Sequence, residues 1–226
     1  MIENDEKFII TGATGWVGKN FLHQLQKFYS PNLFNKNVIA FGSKTQIIES
    51  TAYTEEEKIQ IPIYPLTQIK EKISISKKYK IVHCAFLTRE KVEKVGLNHY
   101  IKTNREITNK VKEFILETKN VNPIIISSGA VSQFLSRNKK KNINEDPYGF
   151  LKFEEEEKFK DISDPLILRI YGLTGNFIRE PNIFAFGNFL LSAIHNKQIT
   201  IHSNKEVIRS YGFATDIAIL GLNWLK

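Results

Sequence analysis

Phe8-Ile9-Ile10-Thr11-Gly12-Ala13-Thr14-Gly15-Trp16-Val17-Gly18 decides the fold of this chain. Phe8 to Thr11 is a short apolar run of β-favouring residues and predicts a buried strand. Trp16 to Tyr29 then carries Trp16, Val17, Phe21, Leu22, Leu25 and Phe28 at helical spacing, until Ser30 and Pro31 stop it. Between strand and helix stand Gly12, Gly15 and Gly18, spaced three and three. In such a turn the first glycine permits the tight bend, the second lets backbone approach a pyrophosphate, and the third lets the helix pack close to the sheet. The helix N-terminus adds unpaired N–H groups and the positive end of its dipole. A glycine triplet alone is weak evidence, but here the strand before it and the helix after it are both present. The stretch therefore predicts a dinucleotide-binding turn, with Gly12, Thr14, Gly15, Trp16, Val17 and Gly18 against the cofactor.

Outward from this unit, short apolar runs alternate with longer amphipathic stretches, the pattern of βαβ units and a parallel sheet. Strands are expected at Val38 to Phe41, Gln60 to Ile63, Lys80 to Ala85, Pro123 to Ser127 and Leu166 to Ile170. Long helices are expected at Asn98 to Thr118 and Tyr148 to Lys160, and Arg137 to Asn144, rich in Lys and Asn, reads as a solvated loop. After residue 170 the rhythm changes to a helix over Pro181 to Asn196, a short strand over Ile199 to His202 and an apolar helix over Ala214 to Leu225. The expected fold is α/β: a Rossmann doubly wound parallel sheet over residues 1–170, with residues 171–226 forming a small, partial substrate-binding region interleaved with it.

Composition removes several classes. An apolar fraction of 42% and a charged fraction of 25% over 226 residues are those of an ordinary globular domain. One cysteine, Cys84, forbids an internal disulfide or a multi-cysteine zinc site, and His23, His99, His195 and His202 lack metal-ligand spacing, so no metal is expected. The net charge of +8 comes from scattered lysines without interleaved aromatics, which argues against nucleic acid. No apolar run reaches the roughly 20 residues that span a bilayer, and the polar N-terminus is no secretion signal, so a cytoplasmic protein without membrane contact is expected.

The end of the second strand bears on the cofactor. An acidic residue there binds a ribose 2′-hydroxyl and a basic one tolerates a 2′-phosphate. This chain has Ser43 and Lys44, which leans towards NADP over NAD. Further along, Tyr148 and Lys152 stand four apart on one helix face, where a lysine cation favours the phenolate and fits tyrosine for proton transfer. Ser127 and Ser128 end the fifth predicted strand, where ligands meet a parallel sheet.

Thr11 to Gly18, Ile126-Ser127-Ser128-Gly129-Ala130-Val131 and Tyr148 to Lys152 together resemble the extended short-chain dehydrogenase/reductase family, in particular its sugar-nucleotide epimerases, dehydratases and reductases. His83-Cys84-Ala85-Phe86, Asn104, Leu168 to Tyr171 and Arg209-Ser210-Tyr211 with Asp216 match further segments in order. The resemblance implies that Ser128, Tyr148 and Lys152 are catalytic. It also implies that Cys84, Ala85, Phe86 and Asn104 line the cofactor, that Ser128, Gly129 and Arg209 contact a nucleotide-sugar substrate, and that the chain forms a homodimer.

Three departures narrow this. Gly129-Ala130 replaces the Asp-Glu pair of the 4,6-dehydratases, Gly172-Leu173 replaces the usual asparagine and proline, and relatives continue well beyond the segment around Asp216. Reduction of a 4-keto sugar or epimerisation is therefore favoured over dehydration. A non-catalytic NAD(P)-binding sensor or subunit is the alternative, with the apolar face of the last helix partly uncovered. Glu154 to Glu157 reads as a solvated helix face, and Phe177, Phe184, Phe186 and Phe189 as packing within the appended region.

Overall fold

The computed structural model describes residues 6–50, 56, 60–74, 77–118, 122–136, 142–201 and 203–225. The chain opens with β1 (Phe8–Thr11), α1 (Trp16–Phe28), α2 (Pro31–Asn37), β2 (Val38–Gly42), β3 (Gln46–Glu49) and β4 (Gln60–Pro65). A 3₁₀ turn and α3 (Ile69–Lys72) lead to β5 (Lys80–His83), α4 (Lys91–Val95), α5 (Leu97–Thr118) and β6 (Ile124–Ser128). Then come α6 (Gly129–Ser136), α7 (Pro147–Lys160), β7 (Leu166–Ile170), β8 (Gly172–Thr174), α8 (Ala185–Ile194), β9 (Tyr211–Phe213) and α9 (Ala214–Trp224).

Seven strands form one sheet in the order β3-β4-β2-β1-β5-β6-β7. All neighbours are parallel except β3 and β4. Alternation along β1 shows how two layers of helix cover it. Phe8 and Ile10 join α1, α2 and α9 through Phe21, Leu25, Phe34, Ala218 and Leu222, whereas Ile9 faces α5 and α7 through Val111, Phe114 and Phe159. A strand buried on both faces reads as a continuous apolar run, which is why Phe8 to Thr11 shows no polar alternation.

The order of the sheet reverses at β1, which pairs with β2 on one side and β5 on the other. In open parallel sheets the crevice at such a reversal is where ligands bind. Here the loops after β1 and β5 press together: a side-chain carbon on Gly12, whose φ is +64°, would lie 2.6 Å from the backbone at Cys84 and Ala85. One on Gly18 would lie 2.3 Å from the carbonyl oxygen of Gly12. The glycine pattern is thus required by backbone packing at the switch point.

Several expectations are corrected. Gln46–Glu49 forms an antiparallel strand, β3, so the expected third strand is the fourth and the sheet does not grow by crossovers alone. It was concealed because Gln46, Ile47, Ile48 and Glu49 offer a weak pattern at a sheet edge, with Ile47 exposed. The segment after β6 begins with α6, and the expected loop at Arg137 to Asn144 lies partly outside the described residues. The helix expected from Pro181 divides into a 3₁₀ turn, Pro181–Ile183, and α8. Ile199 to Ile201 is exposed and not a strand, and His202 lies outside the described residues. The second sheet is instead the parallel pair β8 and β9.

The phenylalanines of the appended region form no buried core either. Phe184 and Phe186 are exposed, and Phe177, Phe184 and Phe186 stack individually on His23, Trp16 and Tyr211. One face of α9 packs on α1, where Gly221 sits against Phe21 and Ile124, while Leu220 and Trp224 stay exposed on the other.

Candidate active site

The glycine turn has the physical features of an anion cradle. The N-terminus of α1 has no side-chain cap on Gly15, so the first-turn N–H groups are left for a ligand. The indole N–H of Trp16 is buried without an acceptor among the described residues. The amide of Ala13 donates to Phe41 O at 2.9 Å, tying the turn to the end of β2, and exposed Ser43 and Lys44 follow directly. The residues present at this end fit the diphosphate and adenosine of a dinucleotide.

On the other side of the switch point, the first turn of α7, which carries Tyr148, packs against the turn that follows Ser128. Ser128 ends β6, and its hydroxyl oxygen accepts from the Ala130 N–H at 3.1 Å, starting α6. Gly149 lets the first turn of α7 approach α6: a side-chain carbon there would stand 3.2 Å from the Ala130 carbonyl oxygen. Asp146 caps α7 by accepting from the Gly149 N–H at 3.1 Å, and Pro147 takes the first helical position. Tyr148 is thereby placed beside the Ser128 turn. Its ring meets Phe86 edge-on at 5.9 Å between centroids and carries the Arg89 guanidinium at 5.3 Å. Its hydroxyl makes no hydrogen bond among the described residues, which leaves it to a ligand.

Lys152 lies one turn further along α7 and is buried. Its ammonium has three donors. One goes to Ile126 O at 2.8 Å, a second to Glu155 Oε2 at 2.8 Å, and the face of the Phe86 ring lies 3.9 Å from Nζ. Phe86 thus touches both Tyr148 and Lys152.

Asn104, on α5, is buried and clamps a loop: Oδ1 accepts from the Leu87 N–H at 2.7 Å and Nδ2 donates to Leu87 O at 3.5 Å. It thereby shapes the backbone immediately after Phe86. Burial pushes the Cys84 thiol up to about 12, with Lys152 opposing, so it stays protonated. Gly129 lies beneath the Tyr171 ring, where a side-chain carbon would meet ring atoms at 2.5 Å. Arg209 sits in the exposed segment before β9 and, among the described residues, donates to Ile208 O. The β8–β9 register brings it near Gly172, at the β7 end that faces Ser128.

The four-glutamate run is where the solvated-face reading fails. Glu155 and Glu156 are fully buried because each has partners across the layers. Glu155 meets Lys152 and, 3.2 Å from its Oε1, His83 Nε2; the other nitrogen of that ring lies 2.7 Å from Thr11 Oγ1. Glu156 accepts from Ser127 and takes a bidentate Arg169 at 2.6–3.2 Å. Only Glu154 and Glu157 face outward, pairing with Arg105 and Lys160.

Burial pushes the Glu155 carboxyl up, but Lys152 and His83 outweigh it and hold the group below its ordinary value. A depressed carboxyl stabilises the fold above its unfolded value of about 4.3 and loses that contribution as pH falls through the folded value. Glu155→Gln should therefore flatten the acid limb of stability against pH, by up to about 1.4 kcal/mol per pH unit. Urea melts between pH 3 and pH 6 would show it, and an unchanged slope would refute the assignment.

Similarity to known proteins agrees with this geometry. A sequence model of the NAD dependent epimerase/dehydratase family matches residues 8–222. No curated protein sequence matches the chain. Among solved structures, a UDP-N-acetylglucosamine 4-epimerase from Methanobrevibacter ruminantium M1, in complex with UDP-N-acetylmuramic acid, superposes with a TM-score of 0.68 at 16% identity. The match covers 96% of this chain and 72% of that one. A dTDP-glucose 4,6-dehydratase from Streptomyces venezuelae, with NAD bound, gives 0.68 at 14% identity, covering 97% and 72%. A GalE-like L-threonine dehydrogenase from Cupriavidus necator gives 0.71 at 14%, also covering 97% and 72%. These neighbours share a fold across different substrates. No helix among the described residues is long and apolar enough to cross a membrane. With the family match running from the first strand into the last helix, and the glycine turn at the switch point of a doubly wound sheet, the chain belongs to the NAD-dependent epimerase/dehydratase family.

Proposed function

We propose that the chain is an NAD(P)-dependent oxidoreductase or epimerase acting on a nucleotide sugar, with Ser128, Tyr148 and Lys152 as its catalytic residues. The observation that carries this is the approach of the first turn of α7, bearing Tyr148, to the turn after Ser128, with Phe86 from the loop after β5 against the Tyr148 ring, on the side of the switch point opposite Lys44. Tyr148 exchanges a proton with the reacting sugar hydroxyl, and the hydroxyl of Ser128 donates to the oxygen on which negative charge develops. The nicotinamide group, when bound, accepts or returns the hydride. Lys152 supplies positive charge behind Tyr148. For it to reach the cofactor ribose as well, the Phe86 ring has to swing off the ammonium face.

Gly129 and Ala130 offer no acid/base pair beside Ser128, which supports 4-keto reduction or epimerisation over dehydration. Arg209 is the proposed contact for the nucleotide diphosphate. Phe86 on Lys152 favours the second reading, a dinucleotide-binding subunit without catalysis. Titrating the protein with NADP and NAD, then following NADPH absorbance with a panel of nucleoside-diphosphate 4-keto sugars, separates the two. Turnover supports the enzyme, and none by a cofactor-saturated protein supports the subunit.

A further inference from the structure

Arg179 belongs to none of the segments that suggested a cofactor site, yet its guanidinium reaches the glycine turn. It follows β8, and Nη2 donates to the carbonyl of Thr14 at 2.8 Å. The segment carrying it is pinned to α1 by buried Asn20, which donates to Asn176 O at 3.1 Å and to Trp16 O at 3.0 Å. Stacking of Phe177 on His23 and of Phe184 on Trp16 holds it from both sides. The guanidinium is therefore placed by structure rather than loosely tethered.

Thr14 is also where the turn meets the end of β2. Its side-chain methyl lies 3.7 Å, and its hydroxyl 3.8 Å, from where a side-chain carbon on Gly42 would stand, and Ser43 and Lys44 come next. In dinucleotide folds the 2′ position of the adenosine ribose lies at this strand end. Arg179 approaches that position from a different part of the chain than Lys44 does. A third cation, Lys19, stands close enough that Arg179, after burial, lowers its proton affinity. Neither Arg179 nor Lys19 forms an ion pair with a described residue. Like charges held together without a counter-ion are costly unless an anion occupies the space they share.

We propose that Arg179 binds the 2′-phosphate of NADP together with Lys44, so that the region after β8 selects the phosphorylated cofactor. This rests on the dinucleotide reading above and adds the residue that sets the preference. Guanidinium and phosphate match in shape and charge, whereas a bare 2′-hydroxyl offers no comparable partner.

The test compares adenosine 2′,5′-bisphosphate with 5′-AMP by calorimetry, since the two differ only in the 2′-phosphate. The wild type should bind the bisphosphate about 10- to 100-fold more tightly, the range of charge-assisted hydrogen bonds. Arg179→Ala should remove most of that difference and change 5′-AMP affinity less than about twofold. Arg179→Lys should retain part of it, and because the side chain is exposed, each variant's melting temperature should match the wild type. Equal wild-type affinity for both nucleotides, a difference that survives Arg179→Ala, or equal weakening of both would overturn the proposal. If folded wild type binds neither, the dinucleotide reading falls with it.

Discussion

Tyr148→Phe should lower turnover by about 10²–10⁴-fold, the range over which a positioned acid or base contributes. The substitution removes one oxygen and keeps the ring, so the contacts with Phe86 and the Arg89 guanidinium persist. Since the hydroxyl has no partner among the described residues, none of their buried groups is stranded by its loss. Stability should stay within about 0.5 kcal/mol of wild type, as for a substitution that opens no cavity in the core and strands no buried charge. Cofactor affinity should also hold, because the glycine turn is untouched. Steady-state kinetics alongside a thermal melt checks this, and full activity in the variant would remove Tyr148 from the chemistry.

Lys152→Met should be damaging in a different manner. Removing one member of a buried ion pair costs about 3–5 kcal/mol, because the remaining charge has lost its compensation. Here the survivor is Glu155, fully buried, with His83 and Thr108 left among the described residues to share its charge. At about 2–4 °C per kcal/mol for a chain of this size, the melting temperature should fall by roughly 6–20 °C. Lys152→Met with Glu155→Gln should recover a large part of the loss, since a neutral amide is far cheaper to bury than an unpaired carboxylate. If the double variant is no more stable than the single one, the pair does not support the fold. Lost activity in Lys152→Met alone is therefore weak evidence for catalysis, and Tyr148→Phe is the cleaner probe.

The features legible in the sequence are those governed by local period and backbone sterics. β1 and β7 have the expected bounds; β1 is a doubly buried strand and so a continuous apolar run, and Gly12 and Gly18 beside it are dictated by close backbone packing. What the sequence concealed depends on partners distant along the chain. Glu155 and Glu156 sit in a run that any local rule assigns to solvent, and Lys152, His83 and Arg169, with the hydroxyls of Thr108 and Ser127, make their burial tolerable. β8 and β9 are three residues each, too short to carry a pattern, and exist because each supplies the other's hydrogen bonds. Ile199 and Ile201 alternate as a strand would, but both stay exposed. Ser128, Tyr148 and Lys152 are candidates that spacing and resemblance suggest, whereas the placement of Phe86 over Lys152 and of Arg179 at Thr14 requires the folded chain.

The docking of α9 on α1 also sets a timetable for folding. Thr215 donates to Asn20 across 195 positions of sequence, and Ala218 and Leu222 complete the apolar layer that Phe21 begins. Contacts of such long range slow folding, because loop closure has to precede any gain from them. The glycine turn rests on a helix whose apolar cover is synthesised some 195 positions later. Until α9 arrives, Phe21 and Leu22 are open to chaperones and to other nascent chains, so a segment translated well before α9 becomes secure only with it.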